Sequence, residues 1–317
     1  MIRQLGVSSS SVCRHPVMRR ILLEAYPEAR LWDGDRITDE DVLIEFLTGC
    51  DAAIVGFEPI TERVLAALPQ LEIMGKFGAG CETLDFEALK RHGIRFGYSF
   101  GVNRLAVAEL AVSFMVAGLR WVGPLNQAMR NRERPRNRDG RLLTGRTVGI
   151  HGCGNVGKEV VRLLQPYGCT IIACDVRDYP DFYRAHGVTP VCFDELLERA
   201  EVLTLHLPIT RTTRGLYSGA VLQRLRTDCV LVNTCRGNIV DEDALCDRLE
   251  AGQLAAACFD VFAIEPATCD RLLDNPNMLA APHIGAATEE TRIAMVNAAI
   301  RGLTENELVD PAKFYEN

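Results

Sequence analysis

The sequence has no excess of positive charge, no apolar run long enough to cross a bilayer, and no pair of cysteines in C-x-x-C spacing. Each absence excludes a class of function. Thirty-five Lys and Arg stand against 42 Asp and Glu, a formal charge of −7. A protein that grips a phosphate backbone normally carries a basic face, so nucleic acid is not an expected partner. The longest apolar stretch, residues 105–119, is interrupted by Glu109 and falls short of the roughly 20 residues a spanning helix needs. It reads as a buried helix, and no membrane partner is expected. The first 20 residues show no apolar core ahead of a small-residue cleavage site, which points to a cytoplasmic protein. The 12 cysteines are scattered between Cys13 and Cys269 and read as free thiols, not as a disulfide framework or a metal site. Cys81, Cys153 and Cys235 lie beside motifs described below and read as small apolar fillers.

What is present is ordinary globular material. The chain has 317 residues, 48% apolar and 24% charged, enough for about two domains of roughly 150 residues each. Residues 2–7, 52–55, 71–74 and 94–96 read as strands. Between them lie helical patterns at 18–25, opened by Pro16, at 39–47, opened by Thr38, and at 62–68, opened by Thr61. Such alternation predicts a parallel sheet covered on both faces. The longest helical stretch is expected over 103–130. It is followed by MRNRERPRNRDGR, with six arginines between Arg130 and Arg141, which reads as a solvated arm. Alternation restarts after Gly145 with TVGI, TIIACD, VLTLH, CVLVN and LAAACFDV, each short and nearly all apolar, as central parallel strands are.

The segment TVGIHGCGNVGKEVV places Gly152, Gly154 and Gly157 in G-x-G-x-x-G between a strand and a helix. Glycines there permit a tight turn and close backbone approach. The helix N-terminus, through Asn155 and Val156, offers N–H groups and a positive dipole to a pyrophosphate. Asp175 ends the next strand 18 residues beyond Gly157, close to the spacing of about 20 at which a carboxylate meets the ribose hydroxyls. A carboxylate there favours NAD over NADP. Three later segments carry polar residues at or just beyond strand ends: VNTCRGNIVDEDAL with Arg236, CFDVFAIEP with Asp260 and Glu265, and APHIGAAT with His283.

With these motifs, the H-L-P triplet at 206–208 and the PHIG-x-x-T block, the sequence strongly resembles the NAD-dependent D-2-hydroxyacid dehydrogenase family over essentially its whole length. It looks closest to short phosphoglycerate-dehydrogenase-like members. The resemblance implies an α/β protein of two Rossmann-like or flavodoxin-like domains with a cleft between them. Residues 102–290 would form the NAD-binding domain, inserted into a substrate domain of 1–101 plus 291–317. It also implies a homodimer through the long helix and arginine-rich arm, and a small anionic 2-hydroxy or 2-keto acid as substrate.

The same resemblance assigns roles. Arg236 would grip the substrate carboxylate and keto oxygen, His283 would be the acid-base group, and Glu265 would hydrogen-bond His283. Asp260 would hold the nicotinamide carboxamide, and His206, Pro208 and Thr234 would line the cofactor cleft. In KFGAGCETLD the backbone of Gly78, Ala79 and Gly80 would bind the substrate carboxylate, with Lys76 facing an anionic side group and Asn103 in the cleft. Physical chemistry makes these roles sensible, because imidazole titrates near neutrality and a guanidinium matches a carboxylate in a two-pronged fork.

Tyr98 and Phe100 depart from the small or proline residues the family carries there. A length of 317 residues leaves no room for an appended regulatory domain, so serine-type feedback is not expected. Two alternatives stay open: a dinucleotide-sensing corepressor that keeps the fold, and phosphite oxidation. Formate oxidation is disfavoured because such enzymes carry Gln where Glu265 stands.

Overall fold

The computed structural model describes residues 2–133 and 139–315. The central part of the predicted arginine-rich arm, residues 134–138, lies outside the described residues. The chain divides into two compact units, residues 1–103 with 287–317 and residues 104–286.

In the first unit the strands are β1 (Leu5–Val7), β2 (Arg30–Leu31), β3 (Ala52–Val55), β4 (Ile73–Lys76) and β5 (Arg95–Gly97). They run parallel in the order β2-β1-β3-β4-β5, the flavodoxin-like order. β3 is buried at all four positions, which is why its sequence, AAIV, carries no polar residue. The helix Glu40–Leu47 is capped by Asp39, whose side chain accepts the Asp41 N–H, and not by the expected Thr38. The helix Glu289–Gly302 returns the chain to this unit. A side chain at Gly97 would overlap the Gly302 backbone, so glycine is what lets the end of this helix lie directly on β5.

The second unit holds β6 (Thr147–His151), β7 (Thr170–Cys174), β8 (Val188–Pro190), β9 (Val202–Leu205), β10 (Val230–Asn233), β11 (Ala256–Phe259) and β12 (Met278–Ala280). All are parallel, in the order β12-β11-β10-β9-β6-β7-β8. From β6 the strands are added outward on one side as β7 and β8 and on the other as β9 to β12, and ligands bind at the carboxyl ends of strands at such a switch point. Side chains alternate between two apolar layers: Val230, Val232, Ala256 and Cys258 enter one, Leu231, Ala257 and Phe259 the other. Back in the first unit, β13 (Glu307–Leu308) adds an antiparallel edge to β5.

The expected helix over 103–130 is two helices, Arg104–Leu119 and Val122–Arg130, bent by 66°. Pro124 explains the break. In a continuous helix its nitrogen would face the Arg120 carbonyl, to which proline cannot donate and against which its ring clashes. Trp121 takes up the turn with φ 56°.

Candidate active site

β6 ends at His151, and the chain turns at Gly152 with φ +92° before the helix Asn155–Leu164 begins. A Cβ at Gly152 would stand 2.5 Å from the His206 carbonyl, so the turn packs directly on the end of β9. Gly154 caps the helix, and a Cβ there would meet nothing within 4 Å. That space lies in front of the helix N-terminus, where an anion is stabilised. The Asp175 carboxylate, just beyond β7, accepts the Cys153 N–H at 2.5 Å and the Arg177 N–H at 2.8 Å. It thereby ties the glycine turn to the neighbouring strand.

His206 and Thr234 follow β9 and β10, which pair Leu205 with Asn233. His206 Nε2 meets the Thr204 hydroxyl at 3.0 Å, while its Nδ1 and the Thr234 hydroxyl are buried polar atoms with no protein partner. Two orphaned polar atoms at adjacent strand ends, beside a glycine turn and a helix N-terminus, fit the polar edge of a dinucleotide. Desolvation pushes the His206 pKa down to about 3, so this imidazole is neutral near pH 7 and is not an acid-base group. Pro208 is exposed, and its carbonyl accepts the Thr213 hydroxyl at 2.6 Å.

His151 is buried with Nδ1 2.7 Å from the Tyr217 hydroxyl, and burial lowers its pKa to about 4. The folded protein keeps it neutral while the unfolded chain takes up a proton below about pH 6.5. Stability from this group is therefore complete above pH 6.5 and declines toward pH 4, by about 3 kcal/mol. Urea midpoints measured at both ends of that range should show the loss, and His151→Gln should show less of it. An equal loss in the variant would remove His151 as the cause.

The acid-base set lies on the loops after β10, β11 and β12. Asn233 ends β10 and folds the next turn: its Oδ1 accepts the Cys235 N–H at 3.1 Å and its Nδ2 donates to the Arg236 carbonyl at 3.0 Å. Arg236 is half-buried and donates from Nη1 to the Cys235 carbonyl at 2.6 Å. A Cβ on Gly237 would overlap the Phe262 backbone, so the loops after β10 and β11 touch through bare backbone here.

Asp260, 1% exposed, follows β11. Its carboxylate accepts the N–H groups of Ile284 and Gly285, both at 2.7 Å, and its carbonyl accepts that of His283 at 2.8 Å. Burial raises the Asp260 pKa against these donors. Three successive N–H groups held by one residue fix His283 at φ +53°, a conformation that costs a non-glycine residue on the order of 1 kcal/mol. His283 Nδ1 lies 2.7 Å from Glu265 Oε2, with both side chains near 40% exposure at 41% and 37%. The other Glu265 oxygen accepts the Phe262 N–H at 3.2 Å. Glu242 accepts the Ala263 N–H at 2.6 Å and so steadies the loop that carries Glu265. The structure thus brings Glu265, His283 and Asp260 together by direct hydrogen bonds. Asn233, Gly237 and Glu242 are supporting residues the sequence reading missed, although all three stand inside the N-T-C-R-G-x-I-V-D-E block.

The remaining candidates lie in the first unit. Lys76 ends β4 and is not a surface lysine: it is 2% exposed, donates to the Phe77 carbonyl at 2.7 Å and stands 5.0 Å from the Phe57 ring centroid. Glu58 is buried in the loop after β3. Burial raises its pKa, and the Lys76 charge opposes the rise. Gly78, at φ +90°, Ala79 and Gly80 form the loop after β4, and the Tyr98 hydroxyl donates to the Ala79 carbonyl at 2.6 Å. Asn103 is half-buried and ends the first segment of this unit.

Comparison with known proteins supplies the context. Residues 112–285 match the family model of the D-isomer specific 2-hydroxyacid dehydrogenase, NAD binding domain. The glyoxylate reductase of Korarchaeum cryptofilum is 32% identical over 288 residues, 89% of this chain and 87% of that one. The D-3-phosphoglycerate dehydrogenase of Bacillus subtilis is 32% identical over 235 residues, 74% of this chain and 45% of that one. The chain thus spans about half the length of such phosphoglycerate dehydrogenases, the Rattus norvegicus protein being covered to 54%. Among solved structures, a glyoxylate reductase from Paecilomyes thermophila superposes with a TM-score of 0.83 at 26% identity, over 94% of this chain and 93% of that one.

Proposed function

The chain belongs to the D-isomer specific 2-hydroxyacid dehydrogenase family, and from that premise we propose that it is an NAD-dependent oxidoreductase acting at C2 of a small anionic 2-hydroxy acid or its 2-keto partner. The observation that carries this reading is the 2.7 Å bond between His283 and Glu265, set at the same end of the sheet as the glycine turn. Gly152, Gly154, Asn155, Val156, Gly157, Asp175, His206, Pro208, Thr234 and Asp260 would hold the cofactor. When bound, NADH supplies the hydride.

The remaining work falls to side chains. Glu265 accepts from His283 Nδ1, which fixes the tautomer and leaves Nε2 to give a proton to the keto oxygen in reduction, or to take one in oxidation. The same carboxylate stabilises the imidazolium. Arg236 binds the substrate carboxylate and keto oxygen through its fork and stays charged throughout. Gly78, Ala79 and Gly80 offer backbone N–H groups to the substrate carboxylate, and Lys76 and Asn103 complete the substrate set. Asp260 has a positioning task besides the one at the cofactor, because it holds the His283 turn. Val122 and Met129, exposed at 51% and 71% and lining one hollow along the helix Val122–Arg130, support a homodimer through that helix.

The test is loss of NADH absorbance with purified protein against glyoxylate, pyruvate, hydroxypyruvate and 3-phosphohydroxypyruvate, repeated with NADPH. Saturable turnover of a keto acid with NADH is expected. NADH binding with no turnover of any of them would overturn the reading in favour of dinucleotide sensing.

A further inference from the structure

Tyr98 and Phe100 are aromatic residues just beyond β5, and the first unit shows what their rings do. Tyr98 directly follows β5, and its ring lies 4.5 Å from that of Phe100 in an edge-on pair. Phe314, in the helix Ala312–Tyr315, packs over both. It stacks on Phe86 at 3.9 Å and 12°, and lies 5.5 Å from Phe100 and 5.8 Å from Tyr98. Phe96, the middle residue of β5, lies 5.8 Å from Phe314 and 6.1 Å from Tyr98. The Tyr98 ring is therefore walled by three phenylalanines, and its hydroxyl donates to the Ala79 carbonyl at 2.6 Å.

That carbonyl belongs to the peptide whose N–H is Gly80. A trans peptide is planar, with C=O and N–H pointing in opposite directions, so holding the oxygen aims the N–H away from Tyr98. A hydrogen bond accepted at the oxygen also polarises the peptide and strengthens the N–H as a donor. Gly78, at φ +90°, and Gly80 leave the loop little side-chain packing of its own, so an outside anchor decides its orientation.

We propose that Tyr98, braced by Phe314, is a positioning residue that locks the Ala79–Gly80 peptide and presents the Gly80 N–H to the substrate carboxylate. The inference rests on the dehydrogenase reading for the identity of the anion, and on geometry alone for the anchoring. Removing the hydroxyl in Y98F keeps the ring among its phenylalanine neighbours and takes away the bond to the Ala79 carbonyl.

The experiment is steady-state kinetics of wild type, Y98F and F314A with the preferred keto acid, beside amide hydrogen exchange over residues 78–81. In Y98F the KM should rise about five- to tenfold with kcat and NADH affinity unchanged, and exchange over the loop should quicken. F314A should move KM in the same direction. An unchanged KM in a folded Y98F overturns the proposal. If wild type turns over no keto acid, the dehydrogenase reading fails instead, and exchange alone decides the anchoring: faster exchange in Y98F supports it and identical exchange overturns it.

Discussion

Replacing His283 by Asn is expected to lower kcat by roughly 10²- to 10⁴-fold, the usual worth of a positioned acid-base group, while NADH affinity stays near the wild-type value. Asparagine suits the backbone here. His283 sits at φ +53°, where Asn is among the better tolerated residues, and its N–H bond to the Asp260 carbonyl involves no side-chain atom. The turn should therefore keep its shape and lose only the imidazole. Steady-state rates with a keto acid, set beside fluorescence titration with NADH, separate the two effects. Comparable turnover in the variant would remove His283 from the mechanism. A parallel collapse of NADH affinity would mean that the turn itself had been disturbed.

Arg236→Gln should lower kcat/KM for the keto acid by about 10²- to 10⁴-fold, because hydrogen bonds to a charged partner contribute about 1.5–3 kcal/mol each and the fork makes two. Arg236→Lys should recover only part of this, since an ammonium restores the charge but not the planar pair of donors. Asn233 closes the turn through the backbone of residues 235 and 236, so both variants keep that tie. Initial rates over a range of keto acid concentrations at saturating NADH would measure the loss. An unaltered kcat/KM in Arg236→Gln would take Arg236 out of substrate binding.

How far the sequence carried these conclusions varies with the kind of signal. Runs buried on both faces were legible because they hold almost nothing polar: residues 52–55 are β3, and TVGI, VLTLH and CVLVN lie on β6, β9 and β10. The strand expected at 71–74 begins at Ile73, since Leu71 still bonds back to Leu68 in a turn. The two-residue strands Arg30–Leu31 and Glu307–Leu308 were not legible, because edge strands that short carry no alternation. Pro124 marked the break in the long helix, yet the surrounding apolar residues masked it.

Within the site, the glycine turn, Asp175, Arg236, Glu265 and His283 stood out through motif and spacing. The pinning of residues 283–285 by Asp260 and the tie from Glu242 to residue 263 did not, for both depend on loops that meet only after folding. Lys76 was legible only as a residue facing an anionic side group, and the fold shows it buried beside Phe57 and Phe77.

The bare-backbone contact between Gly237 and Phe262 has a practical consequence for anyone recombining this protein with a relative. A crossover between residues 237 and 262 would join a loop from one parent to a loop from the other at a place with no side chain to absorb a misfit. Shuffled libraries should lose activity at that junction far more often than at others. The stretch from Asn233 to Glu265 is best exchanged whole, as a single cassette.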